Sequence, residues 1–129
     1  MSSTINRTST KSIDQTCEDL QAAVSNHKFG VLTVHNLAQT MANKGVEFNG
    51  ECRIFEVCNP HQAKKVLESN PEISTALPCR ISVYTEGDTV KLSTISPSLM
   101  LGMFGADDIK AVADEVEETL TAIMDEAVN

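Results

Sequence analysis

The chain has 129 residues, of which 41% are hydrophobic and 22% charged, enough apolar material for one core under an ordinary polar surface. Acidic residues outnumber basic ones and give a formal net charge of -8. This acidity argues against nucleic acid and anionic membranes as partners, because binding either one without sequence specificity requires clustered cations. We therefore expect a single domain over residues 1–129.

The sequence shows neither a signal-peptide pattern nor an apolar run long enough to cross a bilayer, so we expect a cytoplasmic protein without a membrane partner. In a reducing compartment, cysteines are expected to be thiols, metal ligands or redox groups rather than structural disulfides. There are four of them: Cys17, Cys52, Cys58 and Cys79. The absence of a CxxC spacing argues against a zinc knuckle.

The first third of the chain predicts a polar edge strand over residues 4–10, followed by a helix. Ser12 and Gln15 form a capping box in which Gln15 is expected to reach back to the cap. Behind them, apolar residues recur at helical spacing: Ile13, Cys17, Leu20 and Val24. Cys17 lies on this apolar face, so we interpret it as a core residue.

Two further strand–helix pairs follow. Residues 31–34 predict a β-branched strand, and Asn36 caps a second helix that ends at Gly45. Residues 52–57 predict the next strand. Asn59, with Pro60 at the first helical position and Gln62 three after the cap, strongly predicts a third helix, which Asn70-Pro71 ends.

The last third predicts a β-hairpin and a long helix. Residues 79–84 and 89–95 are strands around a turn at residues 86–88, with Cys79, Ile81 and Val83 on one face. A long helix begins at Asp107 and runs over about residues 107–127. Eight acidic residues line it or its cap, and we interpret them as a solvated face: Asp107, Asp108, Asp114, Glu115, Glu117, Glu118, Asp125 and Glu126.

Four short motifs in this order resemble domain-of-unknown-function family 302: residues 29–33 (FGVLT), 58–60 (CNP), 71–73 (PEI) and 77–79 (LPC). The likeness covers about residues 12–95. It implies an architecture like that of the TATA-binding-protein folds, and often a dimer, but no agreed activity. The two cysteines in the motifs are Cys58 and Cys79, whereas Cys17 and Cys52 lie outside them.

Together, these patterns predict an α+β fold in which helices pack on an antiparallel-rich sheet of four or five strands, with the long helix at the C-terminus. Since the strands of residues 52–57 and 79–84 are expected to be antiparallel, we predict that Cys58 and Cys79 lie at the same end of the sheet, near the Asn59 cap.

Cys58 directly precedes a helix cap, where the helix dipole and free N–H groups favour a thiolate. This position suits a reactive or metal-binding thiol, but it also fits a half-buried cysteine without a role. His61 in the first helical turn is a candidate metal ligand or simply an exposed side chain. The candidate ligand or redox site therefore consists of Cys58, Cys79, Asn59 and His61.

Two functional hypotheses remain. In the first, Cys58 and Cys79 bind a metal, a persulfide or another soft ligand in a thiol-based module. In the second, the chain is a non-catalytic, homodimeric interaction module; this rests on the apolar run of residues 99–104, which is expected to be partly exposed. Met100 and Met103 in that run fit a Cu(I) site or, more simply, core or interface. No HExxH, GxSxG or P-loop pattern indicates a reaction.

Overall fold

The computed structural model describes residues 3–129. These residues form five strands: β1 (Thr4–Ser9), β2 (Gly30–Asn36), β3 (Cys52–Cys58), β4 (Cys79–Glu86) and β5 (Thr89–Ile95). The helices are α1 (Ile13–Asn26), α2 (Leu37–Asn43), α3 (Pro60–Ser69), α4 (Pro97–Gly102) and α5 (Asp107–Val128), with a 3-10 helix over Pro71–Ala76. The predicted third helix, the hairpin and the long C-terminal helix are all present.

The five strands form one sheet in the order β1-β5-β4-β3-β2, and every neighbouring pair is antiparallel. The prediction of an α+β fold with an antiparallel sheet is therefore confirmed. β1 pairs with β5 along its whole length, so its polar sequence does form the predicted edge strand. β2 forms the other edge.

The main core lies between the sheet and the helices α1 and α5. α5 contributes a continuous apolar face to it, including Val116, Leu120 and Ile123, and Leu20 of α1 packs in the same cluster. Cys79, Ile81 and Val83 are all buried on the helix-covered side of β4, as their alternation predicted. Cys17 is 6% exposed and belongs to this core, which confirms its predicted place.

A second, smaller apolar cluster joins α3, the 3-10 helix, α4 and α5. Its buried members are Val66, Ile73, Leu101, Ile109 and Ala113. Leu101 is therefore buried within its own chain, which removes part of the expected exposed apolar run. Leu99 and Met103 remain on the surface, with 51% and 79% of their area exposed.

The capping box at α1 forms only in part. The Ser12 side chain accepts the Gln15 backbone N–H at 3.1 Å, as predicted. The Gln15 side chain does not return to the cap, and its Nε2 donates instead to Asp19 Oδ1 at 2.9 Å. The predicted bond from the Gln15 side chain back to the cap is therefore wrong, because the Asp19 carboxylate one turn along the helix is the stronger acceptor.

Seven of the eight acidic residues of α5 are exposed, which agrees with the predicted solvated face, and several of them also form hydrogen bonds. Asp125 accepts a hydrogen bond from Arg7 Nε at 2.5 Å, and Glu126 accepts one from Asn26 Nδ2 at 2.9 Å. Asp114 accepts hydrogen bonds from Ser98 and Lys110, which lower its pKa. These acids therefore tie α5 to its neighbours, a role that depends on long-range contacts. No helix within residues 3–129 is long and apolar enough to span a membrane.

Candidate functional site

The pairing of β3 with β4 brings the two motif cysteines to the same end of the sheet. Val57 lies directly opposite Cys79, and Cys58 is the next residue of β3. On the other side of β3, Cys58 lies opposite Gly30 of β2. The predicted placement of Cys58 and Cys79 near the Asn59 cap therefore agrees with the observed register.

A small cavity of about 20 Å³ opens at this end of the sheet. Cys58, Asn59, Gln62 and Cys79 line it together with six apolar residues: Phe29, Val57, Ala63, Leu77, Leu101 and Val116. A volume of roughly 10–15 Å³ on this measure admits one water molecule. The enclosed part of the cavity therefore has room for a group of one or two heavy atoms.

Asn59 caps the N-terminus of α3 at this site. Its Oδ1 accepts the backbone N–H groups of His61 at 3.0 Å and of Gln62 at 3.2 Å. Its backbone oxygen accepts the N–H of Ala63, and Pro60 has no N–H to offer. The first turn of α3 therefore presents no unbonded N–H group to a thiolate or another anion.

The prediction that the helix N-terminus favours a thiolate at Cys58 is wrong, and this capping explains why. Burial raises the pKa of the Cys58 thiol instead of the helix lowering it. Burial, with a smaller contribution from the nearby Cys58, raises the pKa of Cys79 to about 11. Both thiols are therefore neutral near pH 7.

The two cysteines do not have the arrangement of a disulfide. Side chains alternate along a strand, so Cys58 leaves β3 on the opposite side from Val57, whereas Cys79 shares the side of Val57. A disulfide needs Cβ atoms about 3.8 Å apart and pointing towards each other. All four cysteines are free thiols. Cys58 and Cys79 are thus two separate thiols at the border of one cavity.

Gln62 belongs to the site although the sequence marked it only as a capping residue. Its Oε1 atom is buried and accepts no hydrogen bond from any residue in the described range 3–129. A buried amide oxygen without a donor typically costs about 1–3 kcal/mol. One local feature of the sequence points to Gln62: it is a glutamine in the first turn of a helix that starts directly after a strand-end cysteine.

His61 does not join the two thiols. It is exposed in the first turn of α3, outside the cavity walls. Within residues 3–129, no three His, Cys, Asp or Glu side chains are grouped as a metal site requires. Cys52, at the other end of β3, is partly buried, and Cys17 interacts with Arg53 in the core. The site that the structure assembles is therefore Cys58, Cys79 and Gln62, held by the Asn59 cap.

These features define a two-layer α+β protein with a small cavity between two thiols at the end of its sheet. The family model for the domain of unknown function DUF302 matches residues 5–127, and the chain belongs to this family. The match covers the C-terminal helix as well as the four motifs.

A solved structure shows the same architecture. The crystal structure of an uncharacterized conserved DUF302 protein from Bacillus stearothermophilus superimposes with a TM-score of 0.94 and 29% sequence identity. The alignment covers 98% of this chain and 99% of that one. A comparison with curated proteins found no match. The comparisons therefore establish the family and the fold.

Proposed function

We propose that this chain is a cytosolic, thiol-based binding module that holds a small soft ligand at the cavity bordered by Cys58 and Cys79. The observation that carries the proposal is the β3–β4 register, which puts both cysteines of the motifs beside one cavity. Thiols are the protein ligands that soft metals and sulfur species prefer. The reducing cytoplasm keeps them available.

The size and the walls of the cavity limit the ligand. A volume of about 20 Å³ accepts a metal ion or a single sulfur atom. Mostly apolar walls and a capped helix N-terminus disfavour an anion. A soft metal would be bound by a thiolate of this site, and its binding would release the thiol proton.

The proposal is tested by elemental analysis and intact mass of freshly purified protein. We expect one metal ion or one sulfur-containing adduct per chain in the wild type and neither in Cys58→Ser. Cys52→Ser is the matched control, because Cys52 lies on the same strand away from the cavity. A wild type without ligand, whose thiols also titrate like those of the unfolded chain, would refute the proposal.

A second candidate is a homodimeric interaction module, which a different set of residues favours. β2 is an edge strand that, within residues 3–129, pairs only with β3. Exposed apolar side chains lie on it and on the loop after α2: Leu32, Val34, Val46 and Phe48. β2 carries no Lys, Glu, Asp or Pro, the residues that commonly protect an edge from pairing.

Light scattering during gel filtration tests the dimer. We expect a mass of twice 14.0 kDa for the wild type at micromolar concentration. Leu32→Lys places a charge on the edge strand and is expected to yield the monomer, whereas Met103→Lys, at another exposed apolar site, serves as the control. A wild type that elutes as a stable monomer would exclude this candidate.

A further inference from the structure

A groove opens on the face of the sheet that points away from α1 and α5. Its floor is a pair of small side chains, since Ser82 of β4 lies directly opposite Ser93 of β5. Larger apolar side chains form its walls: Ile54, opposite Ser82 on β3, and Ile95, two residues beyond Ser93 on the same face. The groove has a volume of about 260 Å³, just below the usual range of small-molecule sites.

Arg80 lies at one end of this groove, two residues before Ser82 and on the same face of β4. Its Nε is 3.4 Å from Oε2 of Glu56, the residue directly opposite on β3. Its Nη1 and Nη2 form no hydrogen bond or ion pair with any residue in the range 3–129, and the Ser82 hydroxyl forms no hydrogen bond there either. The groove therefore has three free donor groups beside apolar walls.

The charges on this face differ from those of the chain as a whole, which has a formal net charge of -8. Here Glu56 and Glu86 are balanced by Arg80 and Lys91. The Glu56 carboxylate is shared with a further basic group, because His35 Nε2 lies 3.1 Å from its Oε2. A small anion can therefore approach this face without the repulsion that the acidic surface of α5 exerts.

We propose that the groove binds a small aliphatic carboxylate, at a site separate from the two thiols. The carboxylate accepts hydrogen bonds from Arg80 Nη1 and Nη2 in the bidentate manner typical of guanidinium groups, and the Ser82 hydroxyl donates a third. The hydrocarbon part lies over the serine floor and covers Ile95, which is 53% exposed. Phosphate or sulfate would use the same donors but leave the apolar walls in water, so a carboxylate with a hydrocarbon tail fits better.

Amide NMR shifts of the full, isotope-labelled chain during titration with sodium hexanoate at neutral pH test this site. We expect saturable shifts at residues 80–82 and 93–95 of the wild type. Arg80→Gln is expected to weaken hexanoate binding about tenfold, which corresponds to about 1.4 kcal/mol. Lys91→Gln removes the same charge from the same face outside the groove, and it should stay within about twofold of the wild type in physiological salt.

Two further probes each lack one half of the ligand. Hexanol has no carboxylate and acetate has no hydrocarbon tail, so both are expected to bind about tenfold more weakly than hexanoate. Ser82→Val fills the floor of the groove with a residue that strands favour; it is expected to fold, as circular dichroism checks, and to lose hexanoate binding.

Several outcomes would overturn the proposal. One is a wild type without saturable shifts, or with shifts confined to residues outside the groove. Another is an unchanged hexanoate affinity in Arg80→Gln or in folded Ser82→Val. Hexanol or acetate that binds as tightly as hexanoate would also overturn it, since either result would show that one half of the site is enough.

Discussion

Val57 and Cys79 face each other in the antiparallel pairing of β3 and β4, and this pair determines the geometry of the site. Because Cys58 follows Val57 and the cap of α3 follows Cys58, the register brings both thiols, the cap and Gln62 to one cavity. A slip by one residue would turn Cys79 out of the core and disperse the site.

Cys79 should make stability depend on alkaline pH. Burial and the nearby Cys58 raise its pKa from 9.0 to about 11, so between these values the folded chain keeps a proton that the unfolded chain releases. This contribution is complete below pH 9 and is lost as pH rises to 11, by about 2 to 3 kcal/mol. Urea unfolding of wild type and Cys79→Val at several pH values measures it. If the free energies of unfolding of the two proteins changed with pH in the same way, this prediction would be contradicted.

The Asn59 cap should contribute measurably to stability. Asn59→Ala removes the acceptor for two N–H groups and is expected to lower the free energy of unfolding by about 1 kcal/mol. Asn36→Ala is the matched control, because Asn36 caps α2 in the same way but α2 carries no buried side chain. Urea titration should show a clear loss for Asn59→Ala and a smaller one for Asn36→Ala. Equal losses would mean that α3 is no more tightly coupled to the core than α2.

The core under α5 should be sensitive to truncation. Leu120 is fully buried, so Leu120→Ala is expected to lower the free energy of unfolding by about 2 to 5 kcal/mol. Leu99→Ala makes the same chemical change on a side chain that is 51% exposed, and it is expected to stay within about 0.5 kcal/mol of the wild type. Thermal and urea unfolding compare the two. A similar cost at both positions would contradict the assignment of the core.

Much of the fold follows from local sequence. Asn59-Pro60 predicts the start of α3, and the alternation of Cys79, Ile81 and Val83 predicts the buried face of β4. Gly87, with a φ of 62°, suits the hairpin turn. Local sequence patterns do not predict contacts between elements that are far apart in the sequence. Leu101 is buried because α4 packs on α5, a contact that the apolar run itself does not reveal.

For the same reason, only part of the site could be predicted from the sequence. Cys58 and Cys79 are marked by their motifs, but Gln62 enters the cavity through the packing of α3 against the rest of the chain. The raised pKa of Cys58 also depends on tertiary structure, because burial outweighs the helix N-terminus once Asn59 has bonded the N–H groups.

That Cys58 and Cys79 act as one site is tested most directly by the pH dependence of iodoacetamide alkylation at Cys79, followed by peptide mass. In Cys58→Ser the pKa of Cys79 is expected to fall below the wild-type value of about 11 and to remain above 9.0, because the neighbouring thiol is lost and burial is kept. Cys52→Ser should leave the profile unchanged. Identical profiles for wild type and Cys58→Ser would contradict a shared two-thiol site.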